Sequence, residues 1–323
     1  MTAEDTANEA GMETGYTPAA QIARIPIPES RTGPSRAVAI GIFDGVHLGH
    51  QEILRETVRI ASEQDWIPSV LTFSGMPAAK GGTGKCICGM DEKAEELDAC
   101  GIKEMIIAAF ASVRDMDCRT FVEDILLTRL GTGAVVVGED FRFGKNRTGD
   151  ASLLRTLLSD HGVACGIVPS LLCEGEKIAS SAIRVLLESG NLEQAIRRMG
   201  HPVSFILPVV PGSHIGRTIG YPTINQVIPP ERQTVRYGVY AVSVDTGDGR
   251  YPGVCNIGVK PTVGGTVPLA ETYIHGFSGD LYGKTVKISL LRFLRPEQVF
   301  PGLEQLREQI QKDISAVIGT EIV

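Results

Sequence analysis

The chain changes its periodicity at Gly200-His201-Pro202, and that break constrains the fold more than any single motif. Before it, short apolar runs alternate with stretches of helical spacing. Ala37–Gly41, Ser69–Phe73, Glu104–Phe110, Ala134–Val137 and Ala164–Val168 read as strands. Between them, Leu48–Glu63, Asp91–Cys100, Arg119–Leu130 and Ala151–His161 read as helices, and Ser180–Ser189 and Leu192–Met199 add two more. This alternation predicts a parallel sheet with helices on both faces. Beyond the break the expected strands are Phe205–Val210, Tyr237–Asp245, Gly253–Ile257, Glu271–Phe277 and Thr285–Phe293, with glycine-rich turns between several of them and a closing helix from Leu303 to Ile318. That spacing predicts a small antiparallel β-barrel. The expectation is an α/β chain in three parts: a disordered tail over residues 1–20, a Rossmann-like domain over 21–199 and a barrel domain over 200–323.

Each expected domain carries one glycine-punctuated motif suited to phosphate chemistry. In the first, the strand at Ala37 runs into G-I-F-D-G-V-H-L-G-H, Gly41 to His50. Gly45 and Gly49 let the backbone turn tightly and approach a ligand. The helix expected from Leu48 offers N-terminal amides that favour anions. His47 and His50 lie about one helical turn apart and can face one site, where imidazole N–H groups stabilise charge developing on phosphate oxygens. In the second, Gly212, Gly216 and Gly220 precede Pro222-Thr223-Ile224-Asn225. Thr223 and Asn225 offer hard oxygens suited to Mg²⁺. Read in isolation, P-T-x-N is equally a turn with Asn225 bonded to backbone.

With 43% hydrophobic and 21% charged residues and a net charge of -7, the chain has no overall basic character that would make nucleic acid its main partner. No apolar run reaches the roughly 20 residues needed to span a bilayer. Met1–Gly15 lacks both the basic start and the apolar stretch of a secretion signal, so a cytoplasmic address is expected, with no membrane partner. Seven cysteines without framework spacing read as thiols in a reducing compartment.

The motifs together resemble the bacterial bifunctional riboflavin kinase/FAD synthetase family. G-I-F-D-G-V-H-L-G-H-Q, Val136 to Asp150 (V-V-G-E-D-F-R-F-G-K-N-R-T-G-D) and Ile178 to Arg184 (I-A-S-S-A-I-R) are similar to the motifs of its adenylyltransferase half. G-V-C-N-I-G-V-K-P-T-V-G-G from Gly253, E-T-Y-I-H-G-F-S-G-D-L-Y-G from Glu271 and L-R-F-L-R-P-E from Leu291 are similar to those of its kinase half. The resemblance implies an N-terminal nucleotidyltransferase domain that makes FAD from FMN and ATP, and a C-terminal barrel that makes FMN from riboflavin and ATP with Mg²⁺.

By the resemblance, His47 and His50 serve the ATP phosphates. Gly41, Phe43, Asp44, Gly45, Gly49, Gly138, Asp140, Ser181 and Arg184 form the nucleotide site around them. In the barrel, Gly212, Gly216 and Gly220 approach the nucleotide, Thr223 and Asn225 hold the metal, Glu271 is the base for the ribityl hydroxyl and Arg295 orients the flavin side. The chain departs from the family at Thr72–Pro77, T-F-S-G-M-P in place of T-F-D-P-H-P. That departure makes a riboflavin kinase with a degenerate adenylyltransferase half the alternative, and a non-catalytic flavin-binding regulator a further one.

Overall fold

The computed structural model describes residues 16, 22–31, 33–75, 85–212, 216, 220–262 and 265–318. The expected tail over residues 1–20, Tyr16 apart, and residues 76–84 lie outside them. The chain divides into two compact units. One comprises Pro18–Val203 with Glu231–Thr234; the other comprises Met1–Thr17, Ser204–Pro230 and Val235–Val323.

The N-terminal unit is built on β1 (Ala23–Pro26), β2 (Arg36–Ile40), α1 (Leu48–Gln64), β3 (Ile67–Ser74), α2 (Met90–Ala99) and β4 (Glu104–Ala109). There follow α3 (Phe121–Arg129, wound as a π-helix), β5 (Thr132–Gly138), α4 (Ala151–Ser159), β6 (Ala164–Val168), α5 (Ser180–Ser189) and α6 (Leu192–Met199). The strands form one parallel sheet in the order β1-β4-β3-β2-β5-β6. Strand β2 is buried throughout because apolar side chains leave both of its faces. Val38 and Ile40 pack with Phe121, Ile125, Leu154 and Leu158 of α3 and α4. Ala39 packs on the other face with Leu54 of α1 and Ala94 and Leu97 of α2. Helices therefore cover both faces, as a buried parallel sheet requires. Strand β2 pairs β3 on one side and β5 on the other, so the order reverses there. Loops at the carboxyl ends of strands beside such a switch point form the crevice where open α/β sheets bind ligands. The Gly41–His47 loop leaves β2 at that point.

At the opposite end of the sheet, Arg36 is almost fully buried and donates from Nε to Glu104 Oε2 at 2.6 Å and from Nη1 to Leu130 O at 2.9 Å. Ser69 Oγ donates to the same carboxylate at 2.9 Å. One ion pair thus ties the starts of β2, β3 and β4.

The C-terminal unit contains β7 (Val203–Pro208), β8 (Thr223–Val227), β9 (Gly238–Asp245), β10 (Arg250–Thr262), β11 (Gly265–Ile274), β12 (Thr285–Arg295) and α7 (Leu303–Ser315). The sheet order is β7-β12-β9-β10-β11-β8. It curls into a barrel whose two edges meet. Val210, just past β7, bridges Asn225 of β8, its N–H donating to Asn225 O at 2.8 Å. Buried Gln226 of β8 reinforces the closure by donating to Leu207 O at 2.6 Å and Val286 O at 2.9 Å. The Thr223–Asn225 segment is therefore strand rather than turn. All seven cysteines are free, and no helix among the described residues is long and apolar enough to cross a membrane.

Breaking a buried ion pair by removing one partner leaves an uncompensated charge. Arg36→Met should therefore destabilise the N-terminal unit by about 3 kcal/mol or more, read as a lower urea midpoint for the transition that includes this unit.

Candidate active sites

The first site grows from an unfavourable backbone. Phe43 has φ 51° and Val46 φ 33°, and Gly45 between them has φ 76°. Positive φ is rare for a bulky or β-branched residue and persists only where surroundings over-determine it. The surroundings here are side chains bonded to the loop's carbonyls. Ile42 O accepts from Lys93 Nζ at 2.7 Å and Thr72 Oγ1 at 3.1 Å. Asp44 O accepts from Ser180 Oγ at 2.9 Å and Val46 O from Gln51 Nε2 at 3.0 Å. Gly45 O lies 3.1 Å from His201 Nε2. Buried Phe43 and Val46 anchor the loop in the core with Leu54 and Val70. A Cβ at residue 45 would meet Ile87 at 3.1 Å in addition to the positive φ, so glycine is required there.

His47 caps α1, its Nδ1 accepting from His50 N at 3.2 Å. That acceptor role puts the proton of a neutral imidazole on Nε2. The two rings stack with centroids 3.6 Å apart. Burial, opposed in part by a backbone hydrogen bond, lowers the His47 pKa to about 4. Burial first, then the neighbouring His47 and Lys93, pushes His50 well below its ordinary value. Both rings are thus uncharged at neutral pH. His50 Nδ1 is buried without a hydrogen-bond partner among the described residues.

Buried Asp44 accepts at Oδ1 from Ile87 N at 2.8 Å and Cys88 N at 3.4 Å, and at Oδ2 from Arg184 Nη2 at 2.5 Å. Arg184 Nε donates to Lys85 O at 3.0 Å. Gly138 ends β5, where Ala39 of β2 pairs Val136, so the ends of the two strands lie side by side. Gly49 lies against the His47 ring. Asp140 and Ser181 stand apart: Asp140 is exposed and paired with Lys177, and Ser181 is exposed at the start of α5, where Ser180 makes the contact with the loop. Buried Cys88, its pKa pushed up to about 12 chiefly by burial, keeps its thiol proton.

The second site is set by strand register. Glu271 of β11 pairs with Asn225 of β8 and with Asn256 of β10, so three polar side chains lie abreast on one face. One step along, Tyr273 pairs with Thr223 and Val254. A cavity of about 400 Å³ opens over this face, lined by Thr223, Asn256, Glu271, Tyr273, Arg295 and Asp313 among others. Asn225 is buried, and its Oδ1 has no hydrogen-bond partner among the described residues. Asn225 Oδ1 and the Thr223 hydroxyl two residues earlier on the strand are hard oxygens of the kind a divalent cation takes. A Cβ at Gly212 would collide with the Asn225 amide, so this glycine lets the backbone pass over it. Gly216 also lines the cavity; Gly220 has φ 85° and open space around it. Arg295 holds Asp313 of α7 from Nε at 3.1 Å and Nη2 at 2.8 Å, with its guanidinium over Phe300. Cys255 is fully buried, and burial, opposed in part by a hydrogen bond with Thr272, pushes its pKa up to about 12, so it keeps its thiol proton.

Lys93 and His201 lie outside the matched motifs, and Gln51 and Asn256 lie inside them without a role that spacing assigns. Their roles come from burial and register, which no local spacing encodes.

A parallel sheet with an H-x-G-H loop at its switch point, followed by a closed barrel with a Thr/Asn/Glu face, defines a two-domain nucleotide-dependent transferase. Residues 30–182 match the FAD synthetase family model and residues 199–319 the riboflavin kinase model. The chain is 34% identical over 282 residues to the bifunctional riboflavin kinase/FMN adenylyltransferase of Escherichia coli K12, covering 85% of this chain and 90% of the relative. It is 33% identical over 290 residues to the protein of the same description in Bacillus subtilis, covering 85% and 89%. A crystal structure described as a macrolide-efflux protein from Streptococcus pneumoniae superposes with a TM-score of 0.80 at 28% identity, covering 92% of this chain and 99% of that one. The chain belongs to the bifunctional riboflavin kinase/FMN adenylyltransferase family. ATP-using enzymes of these two families generally need a divalent metal.

The His47 pKa falls on folding, so between about 4 and 6.5 the unfolded chain binds the extra proton. Stability from this group is full above pH 6.5 and is lost as pH falls toward 4. Denaturant midpoints of the N-terminal unit should drop over that window, and His47→Gln should flatten the dependence.

Proposed function

We propose that this chain phosphorylates riboflavin to FMN in its C-terminal domain and adenylylates FMN to FAD in its N-terminal domain, with Mg²⁺ as the metal and the cytoplasm as its location. The observation that carries the reading is the tandem order of the two family matches on one chain, each falling on its own site. In domain terms, residues 21–199 form the adenylyltransferase and 200–323 the kinase.

In the kinase domain, riboflavin enters the 400 Å³ cavity and its ribityl 5′-hydroxyl approaches Glu271. The carboxylate takes the hydroxyl proton as the oxygen attacks the γ-phosphorus of ATP, and ADP leaves. Asn225 and Asn256 flank Glu271 on the neighbouring strands, and Asn256 Nδ2 donates to Glu297 Oε1 at 3.2 Å. Thr223 Oγ1 and Asn225 Oδ1 would hold Mg²⁺, which neutralises phosphate charge when bound. Gly212, Gly216 and Gly220 let the backbone come close to the nucleotide. Arg295, through Asp313, sets the wall of the cavity contributed by α7.

In the adenylyltransferase domain, a phosphate oxygen of FMN attacks the α-phosphorus of ATP and pyrophosphate leaves. His47 Nε2–H and His50 donate hydrogen bonds as charge shifts to the leaving group. Their neutrality means no imidazolium is required, and the cation is Arg184. Gly41, Phe43, Asp44, Gly45, Gly49 and Gly138 shape the backbone at the strand ends where ATP lies. Asp140 and Ser181 belong to the rim. The Asp44–Arg184 pair and the bonds to the loop carbonyls do not use Ser74, which supports an active domain despite the altered T-F-S-G-M-P segment; Met76 and Pro77 lie outside the described residues.

Glu271→Gln should lower FMN formation by roughly 100-fold or more while leaving FAD formation from supplied FMN unchanged. Replacing His47 and His50 together by Ala should do the converse. Chromatography of flavin products from each variant tests both. FAD from neither variant nor wild type would leave only the kinase reading.

A further inference from the structure

Residue 232 lies inside the stretch that matches the riboflavin kinase model, yet Glu231–Thr234 belong to the N-terminal unit. Cys86 N donates to Glu231 O at 2.7 Å and Gln233 N to Cys86 O at 2.7 Å, a two-bond clasp on the Lys85–Cys88 segment. Arg232 is nearly fully buried at its centre. Its Nη1 lies 3.0 Å from both carboxylate oxygens of Glu92, which is equally buried, and its Nη2 donates to Ile87 O at 3.3 Å. On either side, Lys85 Nζ donates to Thr234 Oγ1 at 2.5 Å and Gln233 Nε2 to Glu188 at 2.8 Å.

What the clasp holds is the floor of the first site. The amides of Ile87 and Cys88 capture Asp44, and Lys85 O takes Arg184 Nε. Glu92 lies in the first turn of α2, directly before Lys93, which holds Ile42 O. One guanidinium therefore fixes both supports of the strained loop: the segment that receives Asp44 and the helix that supplies Lys93. A Cβ at Gly89 would fall within 2.6 Å of both Arg232 and Glu92, so the backbone itself is shaped to admit the pair.

We infer that Arg232, carried by the kinase part of the sequence, is a positioning residue of the adenylyltransferase site, acting through Ile87 and Glu92 on Asp44 and Arg184. It touches no reacting atom. Its effect is to hold the Arg184 cation where the ATP phosphates bind, and this rests on the adenylyltransferase reading above. Loss of Arg232 should therefore weaken ATP use in FAD formation without touching FMN formation.

The test uses the full chain, with both activities measured on each preparation. Arg232→Met should raise KM for ATP in FMN adenylylation roughly tenfold, with KM for FMN and the riboflavin kinase rate within about twofold of wild type. Arg232→Lys, which keeps the charge, should recover part of the loss. Because an unpaired Glu92 can unfold the unit, the double variant Glu92→Gln with Arg232→Gln forms a second arm. It should fold, by circular dichroism, and still show the raised KM for ATP. An unchanged KM for ATP in Arg232→Met, equal losses in both activities, or a double variant with wild-type kinetics would each overturn the inference. A wild-type chain that makes no FAD from FMN and ATP would remove the underlying reading and this inference with it, and it is seen before any variant is made.

Discussion

The first site depends on a short stretch of backbone held where L-residues resist going. Phe43 and Val46 take positive φ, a cost of order 1–3 kcal/mol each. Apolar burial of those two side chains and hydrogen bonds to the carbonyls of residues 42, 44, 45 and 46 offset it. The bonding groups come from β3, α1, α2, α5 and the chain just past α6. The loop is thus correct only when the whole N-terminal unit is assembled around it. Its consequence is a loop held in one conformation, and preorganised donors are those that contribute most to a transfer.

The barrel solves the same problem by regular means. Antiparallel register alone aligns Asn225, Glu271 and Asn256 across three strands, and Gln226 closes the sheet beside them. The backbone that carries this carboxylate is regular strand paired on both sides, so it is placed without strain. Among the described residues the buried Asn225 Oδ1 has no hydrogen-bond partner. The two sites also differ in what carries charge. The first holds two uncharged histidines and the Asp44–Arg184 ion pair, whereas the second holds a carboxylate among amide and hydroxyl side chains.

Much of this was legible in the sequence. Strong apolar runs such as Ala37–Ile40 and Val135–Val137 are buried strands because nothing but a covered sheet accommodates them. The H-x-G-H spacing places both imidazoles on the first turn of α1, where they stack. Other features were not. Strand β1 is short and half exposed, with too little alternation to stand out. P-T-I-N reads locally as a turn, and only pairing with β11 makes it strand. Ser180 and Ser181 are neighbours of the same type, so only the direction of α5 decides which reaches Asp44. Arg295 looks like a surface cation beside a proline, but α7 brings Asp313 against it. The assignment of Glu231–Thr234 to the N-terminal unit is a long-range event with no local sign.

The central claim is that two pockets on one chain take different phosphorus atoms from ATP. Riboflavin incubated with the protein, a divalent metal and ATP labelled at either the α- or the γ-phosphorus tests it in one product. FAD labelled from both kinds of ATP, the γ-label in the flavin phosphate and the α-label in the adenylate, is the predicted result. FAD absent, or carrying label from only one position, would contradict it.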